Sequence, residues 1–493
     1  MNIAGRQPRT LQWAVLAPVC LAVACWLGIT MATGGNRRYA LIALAAIVVI
    51  ARPVKIFIDR RVGPGALAIE LPILLLVAST LVWRQRAATA LAANPLDSAA
   101  QFRVLFVGLA LILGIAALTS PPRPEATFRA RLTTFPFRTY LCYLGVVLLG
   151  VASSVKPTLT LYRAVEVATG CIVLLGAYRA FGNAAARRIE ATLYWSTVAL
   201  VGSIWLGRVL WPDQAIARPL NEAVPLKWEL TGVYPQFAAN SVGALGALLA
   251  VWSLCRYINP RRYPGRRGFA LFLTLVGIAT TIAAQYRTGY IAVVASMLVV
   301  FWLRRRILFV ALAVTALFFV LWSPSLVTDA EPYVLRGQTT DEAQELSGRV
   351  DYWSAAIPVW EKSPIIGRGL WTASRYEVLE PLGLENTASV HSTWVEGLVG
   401  TGVVGVSLLA VAVLSTVARA WRVARSHRWA PIGPLALMIM LLVRSTTGNL
   451  FESFGHEQLV FLAIALALED RVKLARPQPV TAGFPREAPV PVG

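Results

Sequence analysis

Long apolar stretches, separated by short segments rich in arginine, recur along the whole chain. Because a helix needs about 20 apolar residues to cross about 30 Å of hydrocarbon, each long stretch predicts a membrane-spanning helix. Fourteen stretches fit this pattern, at 11–32, 39–51, 65–83, 102–119, 139–155, 158–178, 190–211, 236–255, 268–285, 289–303, 307–322, 392–418, 431–448 and 456–469. Several of them are short, so the pattern predicts an all-α polytopic membrane protein with about 12–14 transmembrane helices.

The composition agrees with this pattern and excludes a soluble protein. Apolar residues make up 57% of the 493 residues and charged residues only 14%, whereas soluble domains carry about 25% charge. The net charge of +21 would indicate nucleic-acid binding in a soluble protein. Here the basic residues lie between apolar stretches and favour alternate segments, which predicts that both termini are cytoplasmic. We therefore expect a multi-pass protein of the plasma (inner) membrane that contacts membrane lipids and no nucleic acid.

The cysteines carry no sign of a disulfide framework or of a metal site. All five lie in or at the edge of predicted helices, and no outer loop offers a pair or a metal-binding spacing. We expect the protein to use no metal and no cofactor.

Four regions follow from the spans. We expect an N-terminal transmembrane bundle at 1–322, a long exoplasmic loop with short helices at 323–391, C-terminal transmembrane helices at 392–470 and a disordered cytoplasmic tail at 471–493. The long loop holds ten acidic and five basic residues, so the basic excess of the chain lies elsewhere. Loops of this length within a compact protein are usually functional.

The long loop contains an ordered series of short motifs. Ser347 to Trp353 predicts the start of a helix, and Ser363-Pro364 predicts its end. A glycine turn, Gly367-Arg368-Gly369, follows. His391 then leads into the twelfth predicted span. That span begins with closely spaced glycines, which predict close helix packing: Gly397, Gly400, Gly402 and Gly405.

Two further features are predicted on the outer face. One is Gly232-Val-Tyr-Pro235, followed by Asn240 just inside the next helix. The other is the short hairpin Gln285 to Gly289, which contains Arg287 and joins two spans.

These pieces, in this order, resemble the O-antigen ligase and O-antigen polymerase superfamily of bacterial envelope glycosyltransferases. The resemblance covers about residues 230–415. One position departs from the pattern, because the family usually has Asn after the histidine and this chain has Ser392. The choice between a ligase and a polymerase therefore stays open.

The resemblance implies a GT-C-like fold and a specific reaction. Members transfer a glycan from a polyprenyl-pyrophosphate carrier to a glycan or lipid acceptor hydroxyl at the outer membrane face, without a nucleotide sugar. The ligases are thought to invert the anomeric centre and to need no metal. The functional roles of the hairpin arginine and the loop histidine carry over to Arg287 and His391.

The chemistry of such a transfer needs cations at its leaving group. A departing pyrophosphate is stabilised best by arginines, which grip phosphate oxygens in pairs. Arg287, Arg208 and Arg349 are predicted near the outer face. Asn240 and Arg368 complete the set of residues that we predict to bind substrate.

An acceptor hydroxyl also needs a base, and a histidine that titrates near neutrality is suited to this role. The chain has three histidines. His427 is predicted on the cytoplasmic side, and His456 has no evident phosphate-binding neighbour. His391 is therefore the predicted base.

Each of these residues also has a purely structural alternative. Arg287 could extend to the outer headgroups, and His391 could cap or pack a helix. Arg349 could pair with Asp351, and Asn240 could bond to a neighbouring helix. The loop aromatics, Trp371 among them, could anchor the membrane interface.

Other functions remain open alongside a ligase or polymerase. A transporter or flippase of envelope precursors could use charges within the spans, which are costly in a membrane and usually line a polar pathway. They are Arg163, Glu166, Arg208 and Arg444. A non-catalytic scaffold for envelope assembly is a third possibility. A peptidoglycan polymerase is disfavoured, because an acidic loop base would be expected there.

Overall fold

The computed structural model describes residues 66–81, 98–119, 134–217, 228–259, 267–304, 349–384, 387, 389–426 and 430–474. The chain divides into two compact units, Met1–Ala66 and Leu67–Gly493, and the described residues belong almost entirely to the second. The predicted spans at 11–32, 39–51 and 307–322, the predicted cap Ser347 and the tail after residue 474 lie outside the described residues.

Twelve α-helices occupy the described residues. They are α1 (Leu71–Leu81), α2 (Ser98–Thr119), α3 (Phe135–Leu149), α4 (Pro157–Phe181), α5 (Ala184–Leu210), α6 (Ala239–Ile258), α7 (Arg267–Ala283), α8 (Arg287–Leu303), α9 (Arg349–Glu361), α10 (Thr393–Ser426), α11 (Gly433–Ser445) and α12 (His456–Leu474). Two π-helical segments, Ala66–Glu70 and Ser374–Leu379, accompany them. Two short antiparallel strands, β1 (Ile216–Ala217) and β2 (Glu229–Leu230), pair in the loop between α5 and α6.

This architecture confirms the predicted all-α polytopic membrane fold. Every predicted span that falls within the described residues coincides with a helix. Five of these helices are long and apolar enough to cross a membrane, namely α2, α4, α5, α6 and α10, and six more are apolar but shorter. The helix predicted in the long loop is α9, and it ends at Glu361, two residues before Ser363-Pro364.

Small residues allow the closest helix contact. Gly246 on α6 faces Gly277 on α7, and a Cβ atom added to Gly277 would lie only 2.5 Å from the Ala250 nitrogen. Such close approach of backbones favours association of membrane helices through dispersion contacts. Helices α2 and α4, α3 and α10, and α8 and α11 also pack together.

A buried aromatic group connects α3, α12 and the loop between α11 and α12, residues 446–455. The Tyr140 hydroxyl donates to the Phe451 carbonyl oxygen at 2.8 Å and accepts from Gln458 Nε2 at 2.8 Å. The rings of Tyr140 and Phe461 meet edge to face, with centroids 5.5 Å apart. The 446–455 loop is thereby held against the helical core.

Helix α10 is interrupted at Gly402, where the backbone leaves the helical region with φ 64° and ψ −172°. The loop at 364–369 fills the break. The Val403 nitrogen donates to the Pro364 carbonyl oxygen at 2.8 Å, and the Gly369 nitrogen donates to the Gly400 carbonyl oxygen at 3.1 Å. These bonds satisfy backbone groups that the break would otherwise leave open in an apolar surrounding. Close packing at Gly400 and Gly402 thus accommodates this loop rather than a neighbouring membrane helix.

Candidate functional site

A polar cavity of about 450 Å³ lies among α2, α4, α6, α9, α11 and the loops at their ends. Its wall includes four arginines, two glutamates and two histidines. They are Arg103, Arg163, Arg349, Arg444, Glu452, Glu457, His391 and His456. Ionisable side chains gathered around a concave site within apolar helices indicate a binding or catalytic site.

His391 lies directly before α10, with a φ of 54° that non-glycine residues seldom adopt. Nearby, the Thr393 nitrogen and hydroxyl both donate to the Gly448 carbonyl oxygen, each at 3.0 Å. These bonds anchor the segment around His391, residues 389–393 (the histidine segment), to the 446–455 loop. Burial and the nearby Arg349 cation lower the pKa of His391 to about 4. We expected a histidine that titrates near neutrality, whereas this imidazole is already neutral well below pH 7.

Arg349 is the first residue of α9, and burial lowers the pKa of its guanidinium. Helix α9 is fixed to the histidine segment, because Trp353 Nε1 donates to the Val390 carbonyl oxygen at 3.0 Å. Asp351 points to the exposed side of α9, and the alternative ion pair with Arg349 does not form among the described residues. Arg349 is partly buried and has no carboxylate partner among the described residues, which favours an anionic ligand.

Arg287 begins α8, beside the cavity. It is not part of the wall that the described residues form. Its charge nevertheless lies close enough to Arg349 for the two cations to repel each other. Two neighbouring guanidinium groups are a favourable arrangement for an anion with more than one negative charge.

The hairpin that contains Arg287 is held against the 446–455 loop. The Thr447 hydroxyl donates to the Thr288 hydroxyl oxygen at 2.8 Å. One turn earlier, Arg444 Nε donates to the Tyr286 hydroxyl at 3.2 Å. Since the same loop also binds the histidine segment, it places the hairpin and the histidine on the same side of the helices.

Asn240 also belongs to the cavity. It lies at the start of α6, is exposed, and lines the same wall as Arg349 and His391. The alternative of a helix-packing bond does not hold among the described residues, where the side chain makes no hydrogen bond.

Two other residues predicted to bind substrate lie outside this cavity wall. Arg208, in the last turn of α5, is placed over the Trp228 ring at 5.8 Å from its centroid. Arg368 donates from Nε to both carboxylate oxygens of Glu377, at 2.7 and 2.9 Å. The structure therefore does not bring Arg208 or Arg368 together with the predicted base.

An ion-pair cluster on α2 and α4 forms another part of the wall. The Glu166 carboxylate accepts from Arg103 Nε at 2.5 Å and from Arg163 Nη1 at 2.7 Å. Arg163 also lies over the ring of Trp371, 4.4 Å from its centroid, so Trp371 faces the cavity. The sequence indicated Arg163 and Glu166, three residues apart in one span. It gave no sign of Arg103, which lies 63 residues before Glu166.

The 446–455 loop and the start of α12 each contribute one residue that the sequence prediction left out of the site. The sequence showed no evident phosphate-binding neighbour for His456, and the structure places it in the same wall as Arg163 and Arg444. Glu452 is fully buried beside it. Burial raises the pKa of Glu452 to about 8. An acidic residue within the apolar C-terminal part of the chain was the one signal that could have indicated this site.

The fold and the cavity together define the class: an integral membrane protein with a polar, arginine-lined site at the ends of its helices. Within this class, residues 269–410 match the family model described as O-antigen ligase. The match confirms the resemblance to the O-antigen ligase superfamily, and it includes Arg287, Arg349 and His391. Asn240, Glu452 and His456 lie outside the matched residues. Comparison with curated proteins gives no match.

Proposed function

We propose that the protein transfers a glycan from a polyprenyl-pyrophosphate carrier to an acceptor hydroxyl at the outer face of the plasma membrane. The O-antigen ligase domain indicates a membrane glycan transferase in general. The carrier, the residue roles, a GT-C-like fold and the cytoplasmic termini belong to the proposal. Its main support is that Arg349 and His391 line one cavity, with Arg287 beside Arg349.

The arginines would act on the leaving group. When the bond between the anomeric carbon and the carrier oxygen breaks, its electron pair moves to the pyrophosphate. The added negative charge is stabilised by cations placed there in advance, which cost no reorganisation during the reaction. Arg349 supplies this stabilisation together with the nearby Arg287. It is partly buried and has no acidic partner among the described residues.

His391 would act on the acceptor. Its neutral imidazole accepts the hydroxyl proton while the acceptor oxygen forms a bond to the anomeric carbon. Attack opposite to the leaving group inverts that carbon. The imidazolium that forms is then stabilised by the pyrophosphate, whose negative charge offsets the nearby Arg349 cation.

Single alanine variants test these roles. We expect Arg287→Ala, Arg349→Ala and His391→Ala each to lower transfer by at least about 100-fold, as loss of a catalytic group commonly does. The substrate is the lipid-linked glycan extracted from cells that lack the gene, and the enzyme is assayed in nanodiscs. Arg422→Ala is the matched control, because Arg422 is exposed near the far end of α10. Normal transfer by His391→Ala would remove histidine as the base.

The cells that lack the gene also show whether the protein acts as a ligase or as a polymerase. Accumulation of single lipid-linked repeat units would indicate a polymerase, and accumulation of finished lipid-linked chains would indicate a ligase. A reporter fused after the tail checks the orientation, and our proposal requires that it stay cytoplasmic.

A further inference from the structure

Several buried polar atoms of the cavity wall have no hydrogen-bond partner among the described residues, and two of them are Oε1 of Glu452 and Nδ1 of His456. The others belong to Arg163, Trp371 and Asn449. Glu452 is fully buried and His456 is 5% exposed. Buried polar atoms are almost always paired, so two open ones in the same cavity wall indicate a partner that the protein chain does not provide.

The hydrogen bonds of His456 determine which nitrogen carries its proton. The Thr197 hydroxyl donates its single proton to the Leu193 carbonyl oxygen at 2.9 Å. The contact of 2.8 Å between Thr197 Oγ1 and His456 Nε2 therefore requires Nε2 to donate. In a neutral imidazole this leaves Nδ1 as a bare acceptor.

Glu452 can act as a hydrogen-bond donor, whereas His456 Nδ1 is an acceptor. Its other oxygen, Oε2, accepts from the Leu450 nitrogen at 3.2 Å. Burial and the neighbouring Glu396 carboxyl raise the pKa of Glu452 to about 8, so the group is protonated at neutral pH. With Oε2 already accepting, the proton lies on Oε1, which can donate.

The two open atoms themselves carry no charge, which favours an uncharged partner. Three cations of the wall are already bound to carboxylates of the chain. Arg444 donates from Nη1 to Glu457 at 2.7 Å, and Arg103 and Arg163 both donate to Glu166. A donor and an acceptor without net charge match a hydroxyl group, which both accepts and donates. Among substrates of a glycan transferase, sugars carry such groups in the highest number.

We propose that Glu452 and His456 form a subsite that binds hydroxyl groups of an uncharged sugar, with Glu452 donating to the sugar and His456 accepting from it. This inference rests on the proposed function, and it deepens that function by assigning the sugar recognition to the 446–455 loop and the start of α12. The sugar belongs either to the carrier-linked glycan or to the acceptor.

Binding measurements in nanodiscs test the subsite without relying on turnover. The probes are the lipid-linked glycan from cells that lack the gene, sugar-free polyprenyl pyrophosphate, and the finished envelope glycan from wild-type cells. We expect Glu452→Leu and His456→Phe to weaken binding of one glycan probe about tenfold, as loss of a hydrogen bond to a buried group does. Binding of the sugar-free carrier should stay unchanged. The glycan probe that is affected identifies the sugar as donor or acceptor.

A conservative variant, Glu452→Gln, distinguishes hydrogen bonding to the sugar from a purely structural role of Glu452. Glu452→Gln keeps an uncharged donor of similar shape, so its binding should stay within about threefold of wild type. If Glu452→Leu proves unstable, Glu452→Gln provides a folded variant for comparison. His456→Phe then tests the subsite independently. Unchanged glycan binding in both apolar variants, or equal weakening of the sugar-free carrier, would overturn the subsite. Absence of transfer by the wild-type protein would instead overturn the proposed function, while the binding result still decides the subsite.

Discussion

His391 shows how burial and one neighbouring cation define the chemistry of a residue. Burial disfavours the charged imidazolium, and the Arg349 cation disfavours it further. Both effects lower the pKa of the imidazole. The group is therefore neutral and able to accept a proton at neutral pH, but it is a weaker base. A bound pyrophosphate would reverse the second effect, because its negative charge offsets Arg349. The base would thus become stronger when the carrier is in place.

The pH dependence of transfer follows from this environment. A base must be neutral to act, and the pKa of His391 is lowered to about 4. We therefore expect kcat/KM, which reports the free enzyme, to stay constant from pH 7 down to about pH 5 and to fall as the pH passes about 4. NMR of histidine-labelled protein reads the same titration directly. In Arg349→Ala the titration should move to higher pH. A fall in kcat/KM near pH 6.5, with no movement in Arg349→Ala, would contradict this account.

Helix α10 shows how one break in an element can serve the site. His391 lies two residues before its first turn, and the break at Gly402 accepts the 364–369 loop. That loop also leads to Trp371, which lines the cavity. The histidine segment and the loop are therefore fixed to the same part of α10, so the break orders one side of the cavity.

Gly402→Ala should disturb this arrangement. The combination of φ 64° and ψ −172° is open almost only to glycine, and forcing another residue into it costs about 1–3 kcal/mol. A Cβ atom there would also collide with the Ile365 backbone. We expect a lower midpoint of thermal unfolding in nanodiscs and reduced transfer. Gly202→Ala on α5 is the matched control, because a Cβ atom at Gly202 meets no neighbour within 4 Å. Equal midpoints for the two variants would show that the break is not constrained.

At the scale of the whole molecule, the helices could be predicted from the sequence because a membrane imposes a local requirement. Each span must be apolar by itself, so a window of residues is enough to find it. The loop helix α9 was likewise indicated locally, by Ser363-Pro364 after it. The order of the motifs also indicated the family. Of the residues predicted with it, Arg349 and His391 line one cavity, and the roles of these residues and of Arg287 stay predictions.

The assembly of the cavity could not be predicted in the same way, because it depends on contacts between distant segments. Arg103 and Glu166 meet across 63 positions, and Thr393 meets Gly448 across 55. Neither pair of residues, so far apart along the chain, produces a local sequence pattern. For the same reason His456 was set aside, since the arginines that share its cavity wall lie on other helices.

The central claim is that the arginines hold the pyrophosphate while His391 removes the proton. The measurement that tests it most directly is binding of sugar-free polyprenyl pyrophosphate in nanodiscs, made together with the transfer assay. Our account predicts that His391→Ala binds this carrier within about twofold of wild type but transfers no glycan. Arg349→Ala should bind it at least about tenfold more weakly, because a charge-assisted hydrogen bond to phosphate is lost. Wild-type carrier binding by Arg349→Ala, or glycan transfer by His391→Ala, would contradict the account.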